Sequence, residues 1–133
     1  MQRLALCALA PLLLSTLACA AHGGLSAPTV APPGTFTVKV NPGASVNHPS
    51  LQIEAGATEV VWKAPADEVQ KLWIVFKPDT GAEPADPVCQ GATCTFPAAS
   101  SEDKDGVYHY VVGVKLKKNG AWKVRDPMLI IKR

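Results

Sequence analysis

The sequence predicts an all-β domain, arranged as an antiparallel Greek-key β-sandwich of seven or eight strands. Short segments rich in Val, Ile, Thr and aromatic residues alternate apolar and polar positions, which is the pattern of strands with one buried face. Turn signals made of Gly, Pro and Asn separate these segments, as they do in sandwiches of short strands. The only helix candidate is a single turn near 66–71.

Each predicted strand lies between turn residues. The segment 71–77 is apolar on both faces, which predicts a central strand, and the Asn119-Gly120 pair is a strong hairpin signal. In chain order the predicted strands are 35–40, 50–54, 58–63, 71–77, 93–96, 106–116, 121–124 and 128–132. Alternation within the strands predicts a core made of Val60, Trp62, Leu72, Ile74, Phe76, Tyr108, Tyr110, Val112, Leu129 and Ile131.

The chain divides into a signal peptide at 1–18, a flexible tether at 19–34 and the β-sandwich domain at 35–133. Arg3 precedes an apolar run that ends in small residues, which is typical of a secretory signal. This run is shorter than the roughly 20 apolar residues that span a bilayer. The tether is uncharged except for one histidine and rich in Gly, Pro and Ala, a composition that favours a flexible linker. The remaining residues suffice for one domain with a modest core.

The end of the signal, Ser-Thr-Leu-Ala-Cys at 15–19, resembles a bacterial lipobox. In that family the Cys becomes the lipid-bearing first residue of the mature protein, with acyl chains such as palmitate. The resemblance implies that Cys19 anchors the protein in a membrane, and Ala20 after it implies the outer membrane, facing the periplasm. The alternative is ordinary cleavage after Ala20, because Ala18-Cys19-Ala20 also has the small-x-small pattern. That cleavage would leave a periplasmic or secreted protein.

Two cysteines remain in the domain. Cys89 and Cys94 flank a turn-forming tetrapeptide, so in an oxidising compartment they predict a disulfide that pins a hairpin. The short loop puts its stabilisation at about 2 kcal/mol. A redox pair and half of a zinc site are the alternatives, but the spacing is not Cys-x-x-Cys and no further ligands follow at matching spacing.

Two stretches resemble the cupredoxin family. Residues 50–63, Ser-Leu-Gln-Ile-Glu-Ala-Gly-Ala-Thr-Glu-Val-Val-Trp-Lys, carry an apolar strand, a Gly turn and a Val-x-Trp strand. Residues 106–112, Gly-Val-Tyr-His-Tyr-Val-Val, are similar to the family's Gly-x-Tyr-x-Tyr-x-Cys strand. The resemblance implies a cupredoxin-like sandwich, with an immunoglobulin-like one as the alternative. Val112 stands where the family has its copper-binding Cys, and Lys63-Ala64-Pro65 stands where its first His is expected. No metal or other cofactor is therefore predicted.

The other polar residues give weaker indications. His48 is expected in a loop, and His109 on the surface because it alternates with the two flanking tyrosines. The acidic run 100–106 is interpreted as a solvated turn, with calcium binding as the alternative. Cleavage after Cys19 would place His22 third in the mature chain, where it could bind Cu(II) with the free amine.

Trp73 is expected in the core, and the alternative is an exposed apolar patch with Trp122 that marks a protein contact.

Charge and motifs limit the function classes. The formal net charge is +2, without a basic stripe, which gives nucleic-acid binding no electrostatic support. The chain contains no nucleophile elbow, phosphate loop or zinc-protease motif. The sequence therefore predicts a non-catalytic cell-envelope lipoprotein, a binding or structural module whose partners are the membrane, through its lipid, and an envelope protein. No small-molecule substrate is identified. The alternative is a periplasmic copper-handling protein of degenerate cupredoxin type.

Overall fold

The computed structural model describes residues 26–77, 84–97 and 105–132. Within these ranges the chain forms strands and turns, and no helix. The signal peptide, Cys19, His22 and nearly all of the acidic run lie outside the described residues. The strands are β1 (Thr29–Val30), β2 (Gly34–Lys39), β3 (Ser50–Glu54), β4 (Thr58–Lys63), β5 (Val69–Phe76), β6 (Val88–Gln90), β7 (Thr93–Phe96), β8 (Gly106–Leu116), β9 (Trp122–Arg125) and β10 (Met128–Lys132).

The strands form two sheets, so the predicted all-β architecture of packed sheets is confirmed. The larger sheet has the order β1-β3-β10-β8-β5, and β9 also pairs with β8. The long strand β8 pairs with β10 along its first half and with β9 along its second half. The smaller sheet has the order β2-β4-β7-β6.

Both sheets are mixed, so the prediction of an antiparallel sandwich is wrong for three pairs. β3 is parallel to both β1 and β10, and β2 is parallel to β4. From β1 to β5 the chain changes sheet at every connection. Among these five strands, those that are adjacent in sequence therefore do not pair with each other. Alternation within a strand reports its buried face and not the direction of its neighbour.

The described residues contain ten strands, against the seven or eight predicted. The two additional strands are β1 and β6, which have two and three residues. A period of two cannot be recognised in so short a segment. The predicted turn at 66–71 is a turn over 66–68 that leads directly into β5, with the backbone N–H of Val69 donating to the carbonyl of Pro65 at 2.9 Å.

The first strand, β1, lies within the segment 19–34 that composition predicts as a tether. Thr29 and Val30 pair in register with Leu51 and Gln52 of β3. Ala31 is buried, and its N–H donates to the carbonyl of Gln52 at 2.8 Å. Composition predicts a linker here, but two β-branched residues beside an open sheet edge are enough to extend the sheet.

The core lies between the two sheets. All ten core residues predicted from alternation are buried. Trp62 of the smaller sheet donates its indole N–H to the hydroxyl of Tyr110 in the larger sheet at 3.2 Å, and the two rings meet edge to face at 5.5 Å. Burial raises the pKa of Tyr110 to about 12, and the hydrogen bond from Trp62 opposes this shift. Phe76 extends the aromatic cluster through edge contacts to Phe96 and both core tyrosines.

β5 is the last strand of the larger sheet, so the predicted central strand is wrong. Two backbone N–H groups of β5 form hydrogen bonds with residues outside the larger sheet. The N–H of Leu72 donates to the carbonyl of Gly91 at 2.7 Å, and that of Phe76 donates to Asp86 Oδ1 at 2.9 Å.

Candidate functional site

Two tryptophans lie side by side on the outer face of the larger sheet. Trp73 on β5 is 43 % exposed, and Trp122 on β9 is 48 % exposed. Gly113 on β8 lies between the strands that carry them and pairs with Trp73 on one side and Val124 on the other. Together with Lys71, these four residues line an open depression of about 380 Å³, here called the tryptophan groove.

Gly113 forms the floor of the groove. A Cβ atom at this position would lie 3.1 Å from Cε3 of Trp73 and 3.4 Å from Cζ3 of Trp122. Carbon atoms pack best at about 3.5 to 4.0 Å, so any side chain here would displace at least one indole. Glycine inside a strand is otherwise unfavourable by about 0.5 to 1 kcal/mol relative to alanine. Its presence at this point is what lets both rings converge over β8.

The rim of the groove is basic. Lys71 lines the groove, and Lys115 lies between Lys71 and Trp122 in the strand register. The lining residues include no carboxylate. The described surface therefore combines two aromatic rings, a valine and two ammonium groups at one end of one sheet face.

The expectation that Trp73 belongs to the core is wrong. β5 turns Leu72, Ile74 and Phe76 inward, so Trp73 points outward. Both faces of this strand are apolar, and alternation alone cannot indicate which face the second sheet covers. The alternative, an exposed apolar patch shared with Trp122, is the arrangement that the structure has.

Four groove residues escaped the sequence prediction as site residues: Lys71, Gly113, Val124 and, on the rim, Lys115. A signal for one of them was present, because a glycine inside the longest strand, between two valines, marks a close approach. The pairing of β5 with β8 that places Trp73 beside Gly113 joins segments about 40 residues apart, whereas Trp122 follows Gly113 within one hairpin. Nothing in the local pattern of either segment predicts that pairing.

The structure contains the predicted disulfide between Cys89 and Cys94, with an S–S distance of 2.07 Å. The two cysteines face each other in the register of the β6–β7 hairpin. The turn of this hairpin contains Gly91, whose carbonyl accepts the hydrogen bond from Leu72, the neighbour of Trp73. The disulfide thus belongs to the support of the groove and not to its lining.

The two described histidines do not meet. His48 Nδ1 is hydrogen-bonded to Thr29 Oγ1 at 3.0 Å, and its ring packs on Phe36 with the centroids 5.2 Å apart. It is a loop residue, as expected, and it also secures β1 to the domain. His109 is partly buried on the outer face of β8, between two inward-facing tyrosines.

The cupredoxin positions carry no ligands in the part of the chain that the structure describes. Val112, at the position of the family's Cys, is fully buried in the core. Over 26–77, 84–97 and 105–132, no three side chains of His, Cys, Asp or Glu lie close enough together to hold a metal ion.

A second depression, of about 340 Å³, differs from the groove in its charge. It is lined by Asp67 and Glu68 together with Lys117 and Lys118, so carboxylates and ammonium groups are mixed. Opposite charges side by side neutralise each other's field. This cleft therefore offers neither the aromatic surface nor the single sign of charge that the groove has.

Comparison with known proteins leaves the site to be interpreted on its own chemistry. No protein-family model matches the chain, and no curated protein matches it either. Among the described residues, no helix has the length and apolar character needed to cross a bilayer.

Proposed function

We propose that this protein is a non-catalytic binding module of the bacterial cell envelope and that it contacts its ligand through the tryptophan groove. One observation carries the proposal: Trp73 and Trp122, both nearly half exposed, converge over Gly113 on the outer face of the larger sheet. Large exposed apolar side chains that cluster mark contact surfaces, whereas scattered ones need no explanation.

The energy available at the groove is enough for binding. A buried tryptophan removes about 150 to 250 Å² from water, so covering the exposed half of each indole removes about 100 Å². At about 25 cal/mol per Å², each tryptophan then contributes roughly 2 to 3 kcal/mol before the cost of association is subtracted. Contributions of this size are typical of the residues that dominate an interface.

The lining supports binding without catalysis. Its five residues are Lys71, Trp73, Gly113, Trp122 and Val124, which supply no nucleophile with an adjacent base and no pair of carboxylates. Aromatic and aliphatic walls with a few charged groups at the rim are the composition of a recognition surface.

We propose that Cys19 is lipidated and anchors the domain to the outer membrane, facing the periplasm. The lipobox-like Ser-Thr-Leu-Ala-Cys at 15–19 and the preceding apolar run support this address. The disulfide between Cys89 and Cys94 also fits an oxidising compartment. The mass of the mature N-terminus tests it: an acylated Cys19 is expected, and an unmodified Ala21 start would contradict it.

We also propose that the sandwich has Greek-key connections of the cupredoxin type. The two stretches that resemble this family pack on each other, because Trp62 of the first donates its hydrogen bond to Tyr110 of the second. The changes of sheet between consecutive strands also support it. Copper handling stays a prediction from this resemblance, and no contact among the described residues favours it.

The binding proposal is tested by cosedimentation with an envelope fraction. The mature protein carries Cys19→Ala, so that its own lipid does not hold it to membranes. We expect the wild-type protein to cosediment and the double variant Trp73→Ala/Trp122→Ala to lose roughly a hundredfold in apparent affinity, about tenfold for each indole. The matched control is Val88→Ala, because Val88 is also an exposed apolar strand residue, 74 % exposed, but lies on the smaller sheet. Equal sedimentation of the double variant and the wild type would contradict the proposal.

A further inference from the structure

We propose that the tryptophan groove binds an acidic polysaccharide, with sugar rings on the two indoles and the carboxylate groups beside Lys71 and Lys115. This inference rests on the proposed binding function and names its ligand class. It follows from three properties of the groove: the shape of the floor, the aromatic walls and the sign of the charge.

The length of the groove floor suits two neighbouring units of a polymer. Trp73, Gly113 and Val124 form one row across three neighbouring strands. Adjacent strands are about 4.8 Å apart, so the row spans roughly 10 Å, a length comparable to a disaccharide. The depression is open and not enclosed, so a ligand longer than the row is not excluded from it.

The walls suit a pyranose ring. One face of such a ring presents several C–H bonds, and the π face of an indole is electronegative and attracts them. The sugar's hydroxyl groups project from the ring edge and stay in water, so stacking leaves no polar group buried without a partner. A peptide on this surface would find no backbone partners for its own N–H and C=O groups. The backbone N–H and C=O groups of a sheet point along the sheet plane and not out of its face.

The charge selects an acidic ligand. Lys71 is the register partner of Lys115, and Lys115 is the register partner of Trp122, so the three residues form one row across the strands. No carboxylate is among the lining residues. The nearby acidic residues Asp67 and Glu68 line the other cleft, where Lys117 and Lys118 accompany them. A carboxylate on each sugar would therefore meet cations whose charge is not already balanced within the groove.

The membrane surface is the competing anionic partner, and the geometry of the indoles argues against it. A side chain that inserts among lipids must project from the domain. Here both indoles converge on the strand beneath them, with Cε3 and Cζ3 close to Gly113. Rings held against a sheet can be stacked upon, but they do not reach into a bilayer.

The probes are polygalacturonate and its fully methyl-esterified form, which has the same backbone without the charge. Binding of the mature Cys19→Ala protein is measured by tryptophan fluorescence and by affinity electrophoresis. We expect binding to polygalacturonate that weakens with salt, and binding to the neutral ester that is weaker by roughly fivefold or more. Trp62 stays buried and reports that the fold is intact.

The variants separate the two contributions. Trp73→Ala and Trp122→Ala should each weaken binding of both polymers roughly tenfold. Lys71→Gln/Lys115→Gln should lower the affinity for polygalacturonate to that for the ester, because only the charged contacts are lost. Val88→Ala, outside the groove, should bind like the wild type.

Several results would overturn the inference and leave the binding function standing. The first is groove-dependent sedimentation with envelopes but no binding of either polymer. The second is loss of that sedimentation after protease treatment of the envelopes, which would indicate a protein partner. The third is groove-dependent binding of phosphatidylglycerol vesicles alone, which would indicate a lipid surface. Equal affinity for the acidic and neutral polymers would overturn the acidic specificity. If the groove variants change neither polymer binding nor envelope sedimentation, both proposals fail.

Discussion

The two faces of the larger sheet use tryptophan in opposite ways. On the inner side, Trp62 from the facing sheet is fully buried, and Tyr110 accepts the hydrogen bond of its indole N–H. On the outer side, Trp73 and Trp122 remain nearly half exposed over a glycine. The difference teaches that the apolar character of these strands serves two purposes: the inner face holds the domain together, and the outer face is available to a partner.

Removing the buried indole of Trp62 and the exposed indole of Trp73 gives the largest contrast in the free energy of unfolding. Trp62→Ala should lower the free energy of unfolding by about 3 to 5 kcal/mol, because it leaves a large cavity between the sheets. Trp73→Ala should change it by less than about 1 kcal/mol, because its ring is half exposed and no cavity forms. Denaturation in urea measures both. Similar losses for the two variants would erase the distinction between the faces.

The pH dependence of stability tests the inner face next. The pKa of Tyr110 is raised from 10.0 to about 12 in the folded protein, so the folded state holds this proton more tightly than the unfolded chain does. The resulting stability, about 2 to 3 kcal/mol, is present below pH 10 and is lost as the pH rises from 10 to 12. Tyr110→Phe should lack this loss. The measurement is the difference between the two unfolding free energies as a function of pH, and a constant difference across this window would contradict the buried phenol.

The disulfide should have an intermediate effect. Cys89→Ser/Cys94→Ser should lower the free energy of unfolding by about 2 kcal/mol, because a short loop restricts the unfolded chain only modestly. The hairpin that it closes holds the edge of β5 through Gly91 and Leu72, so groove binding should weaken more in this variant than in Val88→Ala. Denaturation and envelope sedimentation measure the two effects. Stability equal to that of the wild type would show that the hairpin does not need the bond.

The smallest effect on stability, and the sharpest test of the outer face, comes from Gly113→Ala. The added methyl group improves strand propensity but meets Trp73 at 3.1 Å, so the two effects should leave the free energy of unfolding within about 1 kcal/mol of the wild type. Groove binding should nevertheless fall, because an indole is displaced from the floor. Unchanged binding together with an unchanged fluorescence spectrum would show that a methyl group at position 113 displaces neither indole.

The core could be predicted because each strand reports its own buried face. Leu72, Ile74 and Phe76 follow the period of two, and the same period predicts Tyr108 and Tyr110. The disulfide could be predicted because its cysteines are five residues apart with a turn between them. Both predictions depend on interactions that a short window of sequence contains.

The groove could not be predicted in the same way. Whether Trp73 points to the core depends on which face of β5 the second sheet covers, and both faces are apolar. The β8–β9 hairpin is indicated locally by Asn119-Gly120, but the pairing of β5 with β8, which brings Trp73 beside Gly113, is a property of the whole fold. Likewise, the parallel pairing of β3 with β1 and β10 leaves no trace in the alternation of any single strand.

The sequence by itself determined eight of the ten described strands, the predicted part of the core between the sheets and the hairpin disulfide, because each depends on local periodicity or spacing. Only the tertiary structure decided the strand order, the mixed direction of pairing and the meeting of Trp73 and Trp122 over Gly113. The physical reason is that a strand's pattern specifies a face to be buried, whereas its neighbours are chosen by the closure of the whole sandwich.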